Sequence, residues 1–217
     1  MTDGPTNPAP GGMPGAPAPS FVDRAKNILV SPKTEWPRIN SEPATIGGIY
    51  TSYVLILAAI PAIAGLIGQQ VMMGIFTPSL NYSIGTAVIG YALSLVAVYV
   101  LALIIDVLAP TFGGARDMVK SFKVAAYAYT PIWVLGILNI IPMLGMIAAL
   151  VGLGYCAYLL YLGLGVVKGV TADKTVGYTV ATIVALIVLY FVIAMVVGIL
   201  VLSLFGAAVM TAPTVRY

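Results

Sequence analysis

The sequence contains no histidine, one cysteine and few charges, and each shortage argues against a class of function. Without histidine, the chain lacks the most common general base and the most common transition-metal ligand. Cys156 has no second cysteine for an intrachain disulfide or a CxxC metal site. Charged residues make up 8% of the chain, against about 25% in soluble domains, and the basic ones are too scattered for nucleic-acid binding. We therefore expect no catalytic residues, no cofactor, no metal site and no nucleic-acid partner.

Hydrophobic residues instead make up 60% of the 217 residues, with a mean hydropathy of +1.04. So little polar surface cannot cover a water-soluble globule, which indicates residence in a bilayer. The last apolar run, 177–210, has no Pro, Asn or charge to divide it, so we interpret it as one tilted helix rather than two spans. The sequence predicts an all-α membrane protein with five transmembrane helices in a domain over 46–210, at about 46–68, 84–108, 122–140, 144–167 and 177–208.

Basic residues occupy alternate gaps between these apolar stretches. If every stretch crosses the bilayer, nine of the ten Lys and Arg residues fall on one side, which is the bias of cytoplasmic loops. We therefore expect the N-terminus in the cytoplasm and the C-terminus outside, in a bacterial cytoplasmic (inner) membrane. The nine are Arg24, Lys26, Lys33, Arg38, Arg116, Lys120, Lys123, Lys168 and Lys174, and Arg216 lies opposite.

Two segments precede the first span. Residues 1–20 are rich in Pro, Gly and Ala and predict a disordered tail. This tail lacks the features of a cleavable signal peptide, so the first span is expected to act as an uncleaved insertion signal. Residues 21–45 place apolar side chains at helical spacing and predict one or two short amphipathic helices on the cytoplasmic membrane surface, with Trp36 at headgroup depth. A partly ordered juxtamembrane linker is the alternative.

Asp106 is an acid inside an apolar span, and such a carboxylate is a functional candidate because its charge is costly to bury. It lies near the predicted cytoplasmic end of span two, where it could pair with Lys120 or Lys123. An anchoring or helix-packing role competes with a proton- or cation-handling role. The turn after this span contains three further candidates, Pro110, Gly113 and Gly114.

Span three contains a polar kink formed by Tyr127, Thr130 and Pro131. Pro131 has no N–H for the carbonyl of Tyr127, so this acceptor is freed unless Thr130 or a neighbouring helix satisfies it. Tyr127 and Thr130 lie three residues apart and share a helix face. The kink could form a small-ligand or helix-contact site, and a kinked helix satisfied by its neighbours is the alternative.

Span four has a stripe of tyrosines at every third position, Tyr155, Tyr158 and Tyr161. Glycines in the same span allow other helices to approach closely. Helix packing is the simplest interpretation of this stripe. Binding of a lipid or a partner helix is the alternative hypothesis.

Three blocks of the sequence resemble the bacterial branch of the Yip family, named for Ypt/Rab-interacting proteins. They are RAKNILVSPKTEWPRINSEPAT at 24–45, LAPTFGGARDMVKSFKVAAYAYTPIW at 108–133 and GLGYCAYLLYLGLGVVKGVTADKTVGYTV at 152–180. The resemblance covers about 21–210 and implies five spans with a cytoplasmic N-terminus. Eukaryotic members associate with prenylated Rab GTPases, but their acidic, Tyr-rich motif is not found in this tail, so that activity is not carried over.

These observations favour a non-enzymatic integral membrane protein that organises membranes or acts as an adaptor. Its expected partners are the lipid bilayer, a membrane protein of unknown identity and further copies of itself in a homo-oligomer. A small transporter or channel is the alternative, supported by Asp106 and by spans kinked at Pro61 and Pro131. A lipid-modifying enzyme has the least support, because it needs polar groups that converge at one depth and the chain has no histidine and one acid within the predicted spans.

Overall fold

The computed structural model describes residues 20–72 and 80–210, and all regular elements in these two ranges are helices. Five helical stretches are long and apolar enough to cross a membrane, as the sequence predicts. They are Ile46–Val71, Ser83–Phe112, Met118–Ile140, Pro142–Val167 and Ala172–Leu189. The predicted tail over 1–19, residues 73–79 and the C-terminal residues 211–217 lie outside the described residues. The sequence also predicts an outer loop between the first two spans with a short interfacial helix at 71–76, and most of that helix falls in the undescribed range.

Two short helices precede the first span, α1 (Phe21–Val30) and α2 (Pro32–Ser41). Ser20 caps α1, because its Oγ accepts a hydrogen bond from the backbone N–H of Asp23. Pro32 begins α2 at a position where a missing N–H costs nothing. Ile28 and Trp36 are fully buried in the core. Trp36 is therefore packed inside the protein, whereas the sequence suggested a place at headgroup depth.

The first span combines α3 (Ile46–Ile49), a π-helical turn at Tyr50–Val54 and α4 (Leu55–Met72). Pro61 lies inside α4, and its ring faces Gly136 of the third span. A Cβ on Gly136 would come within 2.5 Å of the Cβ of Pro61. The absence of a side chain at Gly136 is what allows the two helices to approach here.

The second and third spans are joined by a short turn on the side of the protein that carries α2. Helix α5 (Leu80–Leu108) continues into a 3₁₀ turn at Ala109–Phe112, and α6 (Met118–Ala128) starts the third span. Asp117 caps α6, since its side chain accepts from the N–H of Lys120 at 3.0 Å. The third span breaks at Tyr129, continues as α7 (Thr130–Leu135) and ends in a 3₁₀ turn at Gly136–Ile140.

A tight hairpin leads from the third span to the fourth, in the short gap between the predicted spans 122–140 and 144–167. Helix α8 (Pro142–Val167) starts with Pro142, and Gly145 lies directly against the side chain of Asn139. The last helix, α9 (Ala172–Met210), is one continuous helix of 39 residues. The uninterrupted apolar run over 177–210 thus forms a single helix and not a pair.

Candidate functional site

Asp106 lies at the end of α5 and joins three parts of the chain. Its Oδ1 accepts hydrogen bonds from the N–H of Asp117 at 2.8 Å and from the Oγ of Ser121 at 3.0 Å. The Nζ of Lys168 lies 3.5 Å from the same oxygen. The expectation that Asp106 pairs with Lys120 or Lys123 is therefore wrong. Lys168 follows the last residue of α8, and this helix end returns to the end of α5.

The ammonium of Lys168 is buried among Asp106, Asp117 and Ser121. Its side chain is 0% exposed, and Nζ donates to the Oγ of Ser121 at 2.9 Å and to the backbone carbonyl of Asp117 at 3.4 Å. Burial lowers the pKa of Lys168 below its ordinary value, although Asp106 and Asp117 act in the opposite direction. These contacts tie α5, α6 and α8 together, and we refer to Asp106, Asp117, Ser121 and Lys168 as the Asp106 cluster.

The turn beside the Asp106 cluster contains the candidates Pro110, Gly113 and Gly114. Pro110 lies in the 3₁₀ turn, and Gly113 follows with φ +85°, a left-handed conformation that glycine adopts without strain. The N–H of Gly114 donates to the carbonyl of Ala109 at 2.9 Å. These residues build the connection from α5 to α6 and leave Ala115 and Arg116 exposed beyond it.

A second group of buried charges holds α1 and α2 together. Nη1 of Arg24 lies 2.5 Å from Oε1 of Glu35, and Nη2 contacts Oε2 of Glu42. Burial opposes the charge of Arg24, but Glu42 and Glu35 more than offset it, so the pKa of Arg24 lies above its usual value. The Cζ of Arg24 also lies 5.8 Å from the centre of the Tyr127 ring, within cation–π range.

Lys123 of α6 connects this second group to the membrane-spanning bundle. Its Nζ donates to the backbone carbonyl of Ile39 at 2.7 Å and to that of Glu42. A cation at the C-terminal end of α2 satisfies carbonyls that the helix leaves unpaired. Sequence reasoning did not select Arg24, Glu35 or Glu42, and it considered Lys123 only as a partner of Asp106. The opposite charges at 24, 35 and 42 are visible in the sequence, but their contact with Lys123, 81 residues from Glu42, is not.

The carbonyl of Tyr127, which Pro131 leaves without a backbone donor at the kink of span three, has a hydrogen-bond donor within the protein. The Oγ1 of Thr130 donates to the carbonyl of Tyr127 at 2.8 Å, which replaces the donor that Pro131 lacks. The hydroxyl of Tyr53 lies 2.7 Å from Oγ1 of Thr130, and the rings of Tyr53 and Tyr127 meet edge to face with centres 4.8 Å apart. The structure thus brings Tyr127, Thr130 and Pro131 together as a packing unit with the first span.

The three tyrosines of span four have different surroundings. The hydroxyl of Tyr155 donates to the carbonyl of Leu29 at 2.6 Å and so contacts the end of α1. Tyr158 is 39% exposed, and Tyr161 is half-buried. The stripe therefore does not form one uniform surface, since Tyr155 contacts α1 and Tyr158 is exposed.

Most of the basic residues at this end of the bundle remain on the surface. Arg24, Lys123 and Lys168 are buried, whereas the other six of the nine are exposed. Among the described residues, no group of three or more His, Cys, Asp or Glu side chains could hold a metal ion. The exposed six are Lys26, Lys33, Arg38, Arg116, Lys120 and Lys174.

Comparison of the sequence with known proteins identifies the family of this chain. The chain is 28% identical over 160 residues to the inner membrane protein YohC of Escherichia coli K12, a match that covers 70% of this chain and 82% of that protein. The YohC protein of Escherichia coli O6:H1 matches equally well. No solved structure matches. The family model described as the Yip1 domain matches residues 26–195, so the chain belongs to the Yip1 domain family.

Proposed function

We propose that this protein is a non-enzymatic adaptor of the bacterial inner membrane that holds an acidic partner protein at its basic end. The basic end is formed by α1, α2 and the loops 109–117 and 168–171. The inner-membrane location is supported by the name of the related YohC proteins and by the five apolar helices. The positive-inside rule supports placing the basic end in the cytoplasm.

The observation that carries this proposal is that three of the nine basic residues are buried and six are exposed. Arg24, Lys123 and Lys168 are buried and have acidic or carbonyl partners within the protein. The remaining six are exposed at the same end, and the acids near them in the described part of the chain include the exposed Asp23 and Asp173 and the partly exposed Glu42. An excess of positive charge on one face attracts an acidic surface and speeds its association. Homo-oligomers are compatible with this role, since a second copy can present its own loops beside the first.

Photo-crosslinking in intact cells tests the proposal. A photoreactive residue at Ala115, which is exposed beside Arg116, should form one discrete adduct with a protein partner. Reversing charge with Arg116→Glu and Lys120→Glu should remove this adduct. The matched control is the same photoreactive residue at Leu93, which is 62% exposed within α5 and far along the helix from the basic end. Equal adducts at Ala115 and Leu93, or an adduct insensitive to the charge reversal, would reject the adaptor role.

The transporter alternative requires Asp106 to be available for a proton or cation. In the structure its Oδ1 already accepts from Asp117 and Ser121 and contacts Lys168, so the geometry favours an anchoring role. Liposomes that contain the purified protein provide the test. A specific proton or cation flux that depends on Asp106 would overturn the adaptor proposal in favour of transport.

A further inference from the structure

A cavity of about 660 Å³ lies between α1, the 42–45 segment and the first turns of the first span. Arg24, Glu42 and Tyr127 form part of its wall, and Thr45 and Ser52 stand at its exposed rim. Its volume is within the range of about 300–1,000 Å³ that is typical of small-ligand sites. The cavity is separate from the Asp106 cluster and from the exposed loop at 115–116.

The position of the cavity along the first span places it at the membrane boundary. The span starts at Ile46, and Glu42 and Thr45 come just before it. Ser52 lies six residues into the span, about 9 Å along a helix. The polar layer on each side of the hydrocarbon core is about 5–8 Å thick, so the cavity lies where phospholipid headgroups meet the first methylene groups.

The charged groups in the wall suit a ligand that carries both signs. The guanidinium of Arg24 has five N–H donors, of which the contacts with Glu35 and Glu42 use two. Glu42 binds Arg24 through Oε2, and its side chain is 38% exposed. Arg24 therefore has donors for a phosphate, and Glu42 has a second oxygen for an ammonium. At the rim, Thr45 accepts from the N–H of Gly48 and keeps its O–H as a donor, whereas the hydroxyl of Ser52 donates to the carbonyl of Gly48 at 2.7 Å.

Charge balance selects a zwitterion over an anion. Arg24 pairs with both Glu35 and Glu42, and Lys123 adds a second buried positive charge that contacts the backbone carbonyls of Ile39 and Glu42, so two positive charges stand beside two negative ones. Arg38, 3.8 Å from Glu35, is 69% exposed to solvent, which screens its charge. A singly charged anion would leave an uncompensated charge beside buried groups, which is costly. A ligand with one phosphate and one ammonium leaves the balance unchanged.

We propose that this cavity binds the headgroup of a bilayer phospholipid with a phosphate and a primary amine, such as phosphatidylethanolamine. The phosphate lies against Arg24 and the hydroxyl of Thr45, and the ammonium lies against the second carboxylate oxygen of Glu42. A primary ammonium donates three hydrogen bonds, whereas a trimethylated one donates none. The site therefore distinguishes phosphatidylethanolamine from phosphatidylcholine with the same acyl chains.

Native mass spectrometry of the full-length protein in detergent, titrated with single lipids, measures this selectivity. We expect phosphatidylethanolamine to bind about tenfold more tightly than phosphatidylcholine, the effect of one charge-assisted hydrogen bond. Glu42→Gln should abolish the difference. Ser52→Leu should weaken phosphatidylethanolamine binding about tenfold by filling the cavity without touching an ion pair. Ser41→Leu is the matched control, because Ser41 is exposed at the end of α2 and outside the cavity wall.

Each remaining outcome counts against the proposal. Equal binding of the two lipids, or unchanged binding in Ser52→Leu, rejects the site. Tighter binding of phosphatidylglycerol assigns the cavity to an anion instead. Equally tight binding of soluble glycerophosphoethanolamine shows that the ligand is a free phosphodiester and not a bilayer lipid. The lipid site does not depend on the adaptor role, since lipid titration and crosslinking from Ala115 report on different surfaces.

Discussion

Lys168 and Asp106 form an ion pair between residues 62 positions apart, with Nζ of Lys168 3.5 Å from Oδ1 of Asp106. The lysine side chain is fully buried, and that of the aspartate is 17% exposed. Ser121 contacts both partners, at 3.0 Å from Asp106 and 2.9 Å from Lys168. The pair thus fixes the ends of α5 and α8 to the start of α6.

Removing the negative partner should destabilise the fold more than removing both charges. Asp106→Asn leaves the buried ammonium of Lys168 without its ion-pair partner, and we expect a loss of about 3 kcal/mol in the free energy of unfolding. Asp106→Asn combined with Lys168→Met should recover much of this loss, because no buried charge remains. Denaturant titration in mixed micelles, analysed as a double-mutant cycle, measures the coupling.

Lys174→Met provides the control, because Lys174 is exposed at the start of α9. It should change the free energy of unfolding by less than about 0.5 kcal/mol. If Asp106→Asn is as mild as Lys174→Met, then the pair does not anchor the bundle. Asp106 would in that case be free for another role.

The contact between Trp36 and Gly163 allows a second prediction. A Cβ on Gly163 would stand 2.8 Å from ring atoms of Trp36, which is closer than packed side chains tolerate. Gly163→Ala should therefore push Trp36 and α2 away from α8 and cost about 1–3 kcal/mol. In a Trp133→Phe background, the fluorescence of Trp36 should shift to longer wavelength as its ring gains contact with water.

Gly154 of the same helix offers a matched comparison, since a Cβ there would have no neighbour within 4 Å. Gly154→Ala should leave the emission of Trp36 unchanged. It should also preserve or slightly raise stability, because alanine favours a helix more than glycine does. An equal shift in both variants would show that α2 is not held by the contact at Gly163.

The five spans follow from the sequence because length and hydropathy alone determine whether a helix can cross a bilayer. The single helix α9 is predictable for the same reason, since nothing in 177–210 can form a turn. The satisfied carbonyl of Tyr127 was also foreseeable, because Thr130 and the carbonyl of Tyr127 are close in any helix. Each of these predictions depends on residues near one another in the chain.

The partners of the buried charges could not be predicted in this way. Asp106 had four lysines near the expected cytoplasmic ends of the spans, and the choice of Lys168 depends on how α8 packs against α5 and α6. The docking of Trp36 on Gly163 likewise requires the relative position of two distant segments. An amphipathic pattern over 21–45 fits equally a membrane surface and the side of a bundle. Only the packing of α1 and α2 against distant parts of the chain shows that the segment lies against the bundle, and the local pattern of residues does not contain that information.

The hydroxyl of Thr130 should be needed at the kink of the third span. Thr130→Val keeps the shape of the side chain but removes the donor to the carbonyl of Tyr127 and the partner of the Tyr53 hydroxyl. With Thr130 fully buried, we expect a loss of about 1–3 kcal/mol in the free energy of unfolding. Thr130→Ser retains the hydroxyl and should lose clearly less. Equal losses in the two variants would show that the methyl group and not the hydrogen bond matters.

Five spans place the two ends of the chain on opposite sides of the membrane, and this parity is directly testable. A phosphatase reporter that folds only outside the cytoplasm should be active when fused after Tyr217 and inactive when fused after Val170, between spans four and five. A fluorescent reporter that folds only in the cytoplasm should give the reverse pattern. The nine basic residues at the α1–α2 end supply the physical reason, because cytoplasmic loops retain positive charge. Fluorescence after Tyr217 would mean an even number of spans. Phosphatase activity after Val170 would instead place the basic end outside, away from any cytoplasmic partner.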